Sequence, residues 1–375
     1  MVKKILSVCL VSVVCVLSLA VTAGVVLWGV GHVGLPAQST GGTFFQAAMM
    51  DDYDRHITNQ LSSALEGVLN IEKVYWLKDS DLIAPEPDPA KFGETTDLAQ
   101  VQAVIDSAAD LLDGQKTLFH TGITLYPDTK VTYYLDETIL CITWREVVDN
   151  AVYTFSEVKI AHPSQFRRFL ANGEFGSDKQ YYCTEMAASV NAVTASNADF
   201  YKHRGYGVVV YNGEVYRSND KVDTCFIDDQ GEMILVPRNQ LGSQEAVEAF
   251  VKENNIRFSI AFGPIMVLDG KNVVPDSYPV GQINTPYSRA CLGDLGDLHY
   301  VLVTAGFGKK YQVMSTMRDF ADHMAAFGCE KVYALDGGQT GTIVTNDKLI
   351  NYPDYGVERT VSDIIYFATA VPDGE

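Results

Sequence analysis

The sequence predicts an α+β domain with a mixed, mostly antiparallel sheet and a few packed helices, preceded by an N-terminal transmembrane helix. Strand patterns outnumber helix patterns after about residue 117, and hairpin turns join many of them in place of regular crossover helices. An uncharged apolar stretch runs from Ile5 to Val33. The 375 residues are 47% hydrophobic, with 13 Pro and 30 Gly, which is typical of a globular protein.

The N-terminal stretch has the length and charge pattern of an uncleaved signal anchor. Lys3 and Lys4 precede Ile5–Val33, which is longer than the ~20 residues that a helix needs to cross a bilayer. A cleavable signal peptide would have a shorter apolar core of about 7–15 residues, although Ala20–Ala23 also resembles a peptidase site. Because the lysines precede the helix, we expect a single-pass cell-membrane protein with the bulk of the chain extracytoplasmic.

Charge and cysteine usage argue against two classes of function. A net charge of −19 at pH 7 repels nucleic acid, so any phosphate binding requires a local basic pocket. The seven cysteines are spread singly, and no pair has the spacing of zinc ligands. We therefore predict buried free thiols outside the anchor and no disulfide framework.

The chain divides into three predicted parts: a cytoplasmic stub and transmembrane anchor at 1–33, a stalk or linker at 34–116, and the sheet domain at 117–375. Apolar residues recur at helical spacing in Asp51–Asn70 and again in Asp97–Leu112. The proline-rich segment Ala84–Pro89 between them is typical of a stiff linker. These helices give the stalk its predicted structure.

Runs of β-branched and aromatic residues predict the strands of the sheet domain, and turn and cap signals separate them. The predicted strands are Lys130–Leu135, Ile139–Val148, Val152–Ile160, Ala192–Tyr201, Tyr206–Tyr211, Phe258–Phe262, Met266–Leu268, Arg289–Gly293, His299–Thr304 and Ser362–Thr369. Hairpin turns are predicted at Asn212–Gly213 and Asp228–Gly231. The predicted helices are Pro163–Leu170, Tyr181–Val193, Ser243–Asn254 and Thr316–Phe327.

The segment Val332–Val344 is the strongest candidate for a binding site. A short apolar strand ends at a carboxylate, and a polar, glycine-rich loop follows it before a second apolar run. Glycine tolerates positive φ and lets a ligand approach the backbone closely. The alternative is an ordinary hairpin turn, because Asp-Gly is common there. The loop residues are Asp336, Gly337, Gly338, Gln339 and Thr340.

Two other segments carry concentrated polar side chains. The loop Ala195–Gly207 contains Asn197, Asp199, Lys202, His203 and Arg204, for which a solvated surface loop is the alternative interpretation. In the second segment, Pro286–Gly293, Arg289 is the first residue of an otherwise apolar strand. It can bind a phosphate through its planar fork, or it can be a structural arginine paired with a carboxylate.

In chain order, these motifs resemble the phosphodiester glycosidase family. The resemblance rests on Asn197–Tyr201, Asn212–Arg217, Ala261–Ile265, Arg289–Gly293, Leu335–Gly338 and Glu358–Ile364. The chain departs from the family at four places. Asn197-Ala198-Asp199 stands where the family has Asn-Gly-Gly or Asn-Gly-Asp, and Arg289–Gly293 stands where it has Arg-Thr-Ala-x-Gly. The other two departures are at the glycine loop and after the strand that ends near Thr304. Gln339-Thr340 follows the glycine pair where the family has Gly-Ser, and Ala305–Phe307 replaces Asp-Gly-Arg.

The resemblance implies a hydrolase that cleaves a sugar-1-phosphodiester at the anomeric carbon, in cell-envelope or exopolysaccharide metabolism. It implies that Asp336, Asp199 and Arg289 are catalytic. Asp336 would be base or nucleophile, Asp199 the second carboxylate, and Arg289 the phosphate ligand. The implied substrate-binding residues are Asn197, His203, Arg204, Gly337, Gly338, Gln339 and Thr340.

Two alternatives accompany this interpretation. Asp199 and Asp336 together can hold a divalent cation, Ca²⁺ or Mg²⁺, through hard oxygen ligands. The altered glycine loop favours a second class of function, in which the domain is a catalytically inactive module of the same fold. Such a module would bind a carbohydrate or an envelope polymer.

Overall fold

The computed structural model describes residues 84–120, 123–127, 129–306 and 315–370. The predicted anchor and the predicted helix at 51–70 lie outside these residues. Within the described ranges, no helix combines the length and apolarity that a membrane crossing needs.

Five α-helices are present in the described ranges: α1 Leu98–Ser107, α2 Ala109–Leu112, α3 Cys183–Ser189, α4 Gln244–Glu253 and α5 Met317–Ala326. The strands begin with β1 Phe92–Thr95, β2 Val131–Leu135, β3 Ile139–Val148, β4 Ala151–Ile160, β5 Phe166–Leu170, β6 Thr194–Asn197, β7 Gly207–Tyr211, β8 Glu214–Asn219, β9 Thr224–Asp228 and β10 Met233–Val236. They continue with β11 Ile256–Ile260, β12 Ile265–Leu268, β13 Lys271–Asn272, β14 Arg289–Gly296, β15 His299–Gly306, β16 Lys331–Leu335, β17 Ile343–Thr345, β18 Lys348–Leu349 and β19 Asp363–Phe367.

The strands form one large sheet and three smaller ones. The large sheet has nine strands in the order β1-β2-β3-β4-β15-β14-β16-β12-β13. A second sheet has the order β18-β17-β6-β19-β5, a third β10-β9-β11, and β7 pairs with β8. Every strand pairing within the described residues is antiparallel. The predicted α+β class is confirmed for this part of the chain.

The large sheet separates two hydrophobic cores, because successive side chains of a strand point to opposite faces. In β16, Val332 and Ala334 join the core that contains residues of α1, α2 and α5. Tyr333 and Leu335 join the other core, which includes residues of the five-stranded and three-stranded sheets. Helix α3 covers the far face of the five-stranded sheet. The result is a helix–sheet–sheet–helix sandwich.

Helices α1 and α2 pack on the large sheet, although the sequence assigned residues 34–116 to a stalk or linker. Val101, Ile105, Ala108 and Leu112 are buried in the same core as α5. The side chain of Asp97 caps α1 by accepting a hydrogen bond from Ala99 N at 2.9 Å. Residues 98–112 therefore share the core of the sheet domain.

One predicted helix, Pro163–Leu170, is wrong. The proline starts a short 3₁₀ turn that ends at Gln165, and the chain then continues as strand β5. Along β5 the side chains of Phe166, Arg168 and Leu170 are buried while the two between them are less so, which is the alternation of a strand.

The turns and helix ends that the sequence predicted from local turn and cap residues are present in the structure. The hairpin turn at Asn212–Gly213 has both residues at positive φ, 51° and 78°. Ser243 caps α4 and Thr316 caps α5, as predicted. The helix predicted at Tyr181–Val193 is shorter in the structure, where it is α3. The five cysteines in the described ranges are all buried free thiols, as predicted.

Candidate active site

The candidate site forms where β14 begins, β16 ends and β6 ends. Ala290 pairs with Leu335, so Arg289 and Asp336 lie at one end of neighbouring strands. Two hydrogen bonds tie this point to the segment after β6. Asn197 Nδ2 donates to Asp336 O at 2.6 Å, and Asp336 N donates to Ala198 O at 3.1 Å. The two sheets of the sandwich thus meet at the candidate carboxylate.

A cleft of about 530 Å³ opens beside this junction. Its described lining contains three arginines and one carboxylate: Arg204, Arg289, Arg359 and Asp336. Its aromatic lining residues are Phe200, Tyr206, Phe262, Tyr287 and Tyr355. On a chain with a net charge of −19, this is the local basic pocket that phosphate binding requires.

Asp336 is the acidic group of the cleft, and its environment favours the protonated form. Burial raises the pKa of Asp336 to about 6, although the hydroxyl of Thr340 and the charges of Arg204 and Arg359 oppose the shift. A carboxyl group that titrates near neutral pH in a basic cleft is well suited to proton transfer or nucleophilic attack.

The glycine pair after Asp336 is required by close packing. Gly338 has a φ of +66°, and a Cβ there would lie 2.8 Å from the ring of Tyr287. A Cβ on Gly337 would lie 2.5 Å from Ser288 O. Gly338 N donates to Ser288 O at 2.9 Å, so this amide is already occupied. The glycines let the loop lie directly on the segment that precedes β14.

Three of the predicted substrate-binding side chains make internal hydrogen bonds. Asn197 also accepts from Thr342 N at 3.1 Å, Gln339 Nε2 donates to Val357 O at 3.2 Å, and Thr340 Oγ1 donates to Gly337 O at 2.7 Å. Asn197 and Thr340 are buried, whereas Gln339 lines the cleft. Asn197 and Thr340 therefore hold the loop in shape around Asp336.

Asp199 lies behind the cleft wall, in a buried ion network. Its Oδ2 accepts from Ala261 N at 2.9 Å and lies 3.4 Å from Arg168 Nη2, while Oδ1 lies 3.5 Å from Arg204 Nη2. Arg168 also contacts Asp363 at 2.6 Å. The side chains of Asp199, Arg168 and Asp363 are 0% exposed.

Arg204 reaches from this network into the cleft. Its guanidinium carbon lies 4.8 Å from the centre of the Phe262 ring and 5.6 Å from that of Tyr206. The side chain is 5% exposed. Apart from its contact with Asp199, no guanidinium nitrogen of Arg204 is hydrogen-bonded to a described residue. These buried donors are free to bind an anionic ligand.

Arg289 is hydrogen-bonded to backbone carbonyls of the segment that forms one wall of the cleft. Its guanidinium donates to Gly281 O at 2.6 Å, Gln282 O at 3.1 Å and Thr285 O at 2.5 Å. Burial lowers its pKa to about 10, so it remains charged at pH 7. Among the described residues it has no carboxylate partner, so its charge adds to the positive field of the cleft.

His203 and Lys202, from the same loop as Arg204, differ in position. His203 lines the cleft, stacks on Phe200 with ring centres 4.4 Å apart, and contacts the Gln180 amide at 2.6 Å. Burial, Lys202 and Arg359 lower the pKa of His203. Lys202 Nζ donates to Lys179 O at 3.3 Å.

Sequence reasoning did not single out Arg359, Tyr287, Phe262 or Arg168. Arg359 lies within the motif Glu358–Ile364, so its charge was a usable signal. Arg168 could have been found from the alternating pattern of β5. In the described ranges, no group of three or more His, Cys, Asp or Glu side chains is arranged to hold a metal ion. The Ca²⁺ or Mg²⁺ site stays a prediction.

Comparison with known proteins agrees with the motif resemblance. Residues 190–368 match the family model described as phosphodiester glycosidase, and this range contains Asp199, Arg204, Arg289, Asp336 and Arg359. The resemblance to this family is thus confirmed over that part of the chain.

One sequence relative and two solved structures are similar to the chain. The SPbeta prophage-derived uncharacterized protein YomE of Bacillus subtilis (strain 168) is 25% identical over 198 residues, which is 51% of this chain and 30% of that protein. The zebrafish N-acetylglucosamine-1-phosphodiester alpha-N-acetylglucosaminidase catalytic domain, auto-inhibited by its pro-peptide, has a TM-score of 0.50 and 14% identity over 69% of this chain and 92% of its own. A hypothetical protein from Synechocystis has a TM-score of 0.50 and 12% identity over 65% of this chain and 67% of its own. The two structures are related to this chain in fold.

Proposed function

We propose, with the phosphodiester glycosidase domain at residues 190–368 as the premise, that the protein hydrolyses a sugar-1-phosphodiester at the anomeric carbon. The products are a free sugar and a phosphomonoester. The observation that carries the proposal is the cleft itself, where three arginines surround one carboxylate with a pKa of about 6 on a strongly acidic chain. A phosphodiester is an anion, and such a pocket attracts it.

In this mechanism the arginines hold the phosphate and Asp336 acts on the sugar. Arg204 has unpaired buried donors, and Arg289 and Arg359 add positive charge. Because phosphate is a weakly basic leaving group, the bond can break without a strong general acid. Ionised Asp336 serves as the base on water or as the nucleophile. Asp199, which does not line the described cleft, acts as a positioning residue for Arg204.

The test is an assay of the full-length protein with UDP-N-acetylglucosamine and with a sugar-1-phosphate methyl ester. We expect release of the free sugar together with UDP from the first substrate and methyl phosphate from the second. A parallel reaction with EDTA tests the predicted Ca²⁺ or Mg²⁺, since loss of turnover on chelation and its return on adding the cation would support a metal site. Phosphate release without free sugar would contradict cleavage at the anomeric carbon.

The pH dependence of that assay should report on Asp336. The mechanism needs the ionised carboxylate, and its pKa in the free enzyme is about 6. We therefore expect kcat/KM to rise between pH 5 and 7 with a midpoint near 6 and to level off above it. A rate that falls as the pH rises through 6 would instead identify Asp336 as a general acid.

A second candidate function is an inactive module that binds a carbohydrate or envelope polymer. The hydrogen bonds of Gln339 and Thr340 to backbone carbonyls favour it, because these two side chains stand where the family has Gly-Ser. Binding of several sugar-1-phosphodiesters without turnover would support this candidate over the hydrolase.

We also propose that the substrate belongs to cell-envelope or exopolysaccharide metabolism and that the chain acts from the outer side of the membrane. This rests on the apolar stretch Ile5–Val33 and the two lysines before it. Externally added protease should degrade the domain on intact cells. Protection of the domain until the cells are lysed would contradict the orientation.

A further inference from the structure

A second groove adjoins the cleft and has no role in the mechanism above. This groove, here called the annex, encloses about 390 Å³ and is lined by Tyr206, Lys221, Arg238, Asn239 and Pro279. It meets the cleft at two places. Tyr206 lines both, and Pro279 of the annex is followed directly by Val280 of the cleft. A ligand that extends past Tyr206 out of the cleft therefore enters the annex.

The annex carries two cations with no fixed anionic partner. Lys221 is exposed, and the guanidinium carbon of Arg238 lies 5.1 Å from the centre of the Tyr278 ring. Neither side chain makes an ion pair or hydrogen bond to a described residue. The neighbouring carboxylates are hydrogen-bonded to backbone amides and not to these side chains: Asp220 accepts from the amides of residues 241 and 242, and Asp223 from those of Arg238 itself and residue 265.

Arg204 and Arg238 stack on neighbouring members of one aromatic cluster. Arg204 lies over Phe262 and Tyr206, Arg238 lies over Tyr278, and the Tyr278 hydroxyl donates to Phe262 O at 3.4 Å. Positive charge thus continues from the arginines of the cleft, past Tyr206, into the annex. An uncharged group beyond the scissile phosphate would leave this second pair of cations without a ligand.

We propose that the annex binds the next phosphate along a glycan chain, so that the substrate is a polymer of sugars joined by phosphodiesters. This rests on the proposed function, since the first phosphate must lie in the cleft. The arginine fork and the compact lysine ammonium are both suited to phosphate oxygens. The cleft then contains the cleaved linkage, and the annex sets the preference for a chain that carries repeated phosphates.

The proposal is tested by binding to the full-length protein with the Asp336→Asn substitution, which keeps the ligand intact. The probes are a trimer of phosphodiester-linked sugars and a monomeric sugar-1-phosphate methyl ester, measured by titration calorimetry. We expect the trimer to bind at least about tenfold more tightly, with a steeper dependence on salt. Replacing both annex cations, Lys221→Gln and Arg238→Gln, should remove this advantage and leave the affinity for the methyl ester within about twofold.

Matched controls separate the annex from general charge and from misfolding. The pair Lys252→Gln and Lys271→Gln removes the same charge at exposed positions elsewhere and should leave trimer binding unchanged. Lys221→Gln alone changes one exposed side chain and should lose part of the advantage even if the Arg238 variant fails to fold. A trimer that binds no better than the methyl ester would overturn the proposal. The proposal would also be overturned if a control glycan bound as tightly as the trimer, where the control keeps one phosphodiester and carries a neutral or carboxylated group in place of the second.

The two proposals can fail separately. If the wild-type protein does not hydrolyse the methyl ester or the trimer, the proposed function fails, whatever the annex binds. If it hydrolyses both with equal kcat/KM and the annex variants bind the trimer normally, the annex proposal fails and the hydrolase remains.

Discussion

Asp336→Asn is expected to lower kcat for a sugar-1-phosphodiester by about 10²–10⁴-fold, the range typical for loss of a proton-transfer group. Asparagine has nearly the same shape, so the cleft and its arginines should be preserved. It cannot take a proton from water or attack the anomeric carbon. KM should change little, because the proposed phosphate ligand Arg204 and the positive charges of Arg289 and Arg359 are unchanged. The measurement is initial rate against substrate concentration for both proteins.

The same substitution should stabilise the folded protein at pH 7. The pKa of Asp336 is raised from 3.8 to about 6, so the folded state disfavours the charge that the unfolded state carries. Below about pH 3 the carboxyl is largely protonated in both states, and at pH 4 only a small part of this cost is present. The cost grows as the pH rises and is nearly complete at pH 7. Asparagine avoids it and should raise the free energy of unfolding at pH 7 by about 2–3 kcal/mol.

Urea unfolding at pH 7 and pH 4 tests the stability effect, with Asp178→Asn as the control. Asp178 has an 87% exposed side chain, and its substitution should alter neither activity nor stability appreciably. Full activity of Asp336→Asn would remove Asp336 from the mechanism. An equal stability gain at both pH values would show that burial of the ionised carboxylate is not its cause.

The elements that the sequence predicted correctly carry local signals. Asn212–Gly213 needs no tertiary contact to form its turn, and the caps at Ser243 and Thr316 bind their own helices. Strand β5 lacked such a signal, because Pro163 is equally suitable for the first turn of a helix. For residues 98–112 the amphipathic pattern was correct, but a pattern does not specify the surface against which its apolar side packs.

At the candidate site, the sequence identified important residues more readily than their partners. Asn197, Asp199, Asp336 and Arg289 all lie at or beside the cleft. However, hydrogen-bond partners distant in sequence determine what each can do. Asp199 accepts a hydrogen bond from Ala261 N, and Arg289 donates hydrogen bonds to the backbone carbonyls of residues 281, 282 and 285. Neither partner carries a distinctive side chain, so no motif could have revealed them.

Arg168→Met is expected to lower the free energy of unfolding at pH 7 by about 3–5 kcal/mol, the typical cost of breaking a buried ion pair from one side. Arg168 Nε and Nη2 donate to Asp363 Oδ2 at 2.9 and 2.6 Å, and Nη1 donates to Ser259 O. Nη2 also lies 3.4 Å from Asp199 Oδ2. Without the guanidinium, two fully buried carboxylates face each other, and of the two only Asp199 keeps an ion pair to a described residue, Arg204.

The pH dependence of this loss distinguishes charge from packing. Burial already raises the pKa of Asp363, and removing Arg168 should raise it further. As the pH falls from 7 to 5, protonation of Asp363 removes the repulsion and the deficit should shrink, whereas a pure packing defect would stay constant. Arg167→Met, at the neighbouring and less buried position of the same strand, is the control and should cost less than Arg168→Met.

A double substitution tests whether the buried ion network that stabilises the fold also affects substrate binding in the cleft. In Arg168→Met with Asp363→Asn, one unpaired charge disappears, so the loss should be smaller than the sum of the two single losses. Asp199 would then keep Arg204 as its ion-pair partner, with the charge of Arg217 also nearby. If Asp199 acts by positioning Arg204, the double variant should recover KM along with stability. Losses that simply add would mean that the four charged residues do not work as one network.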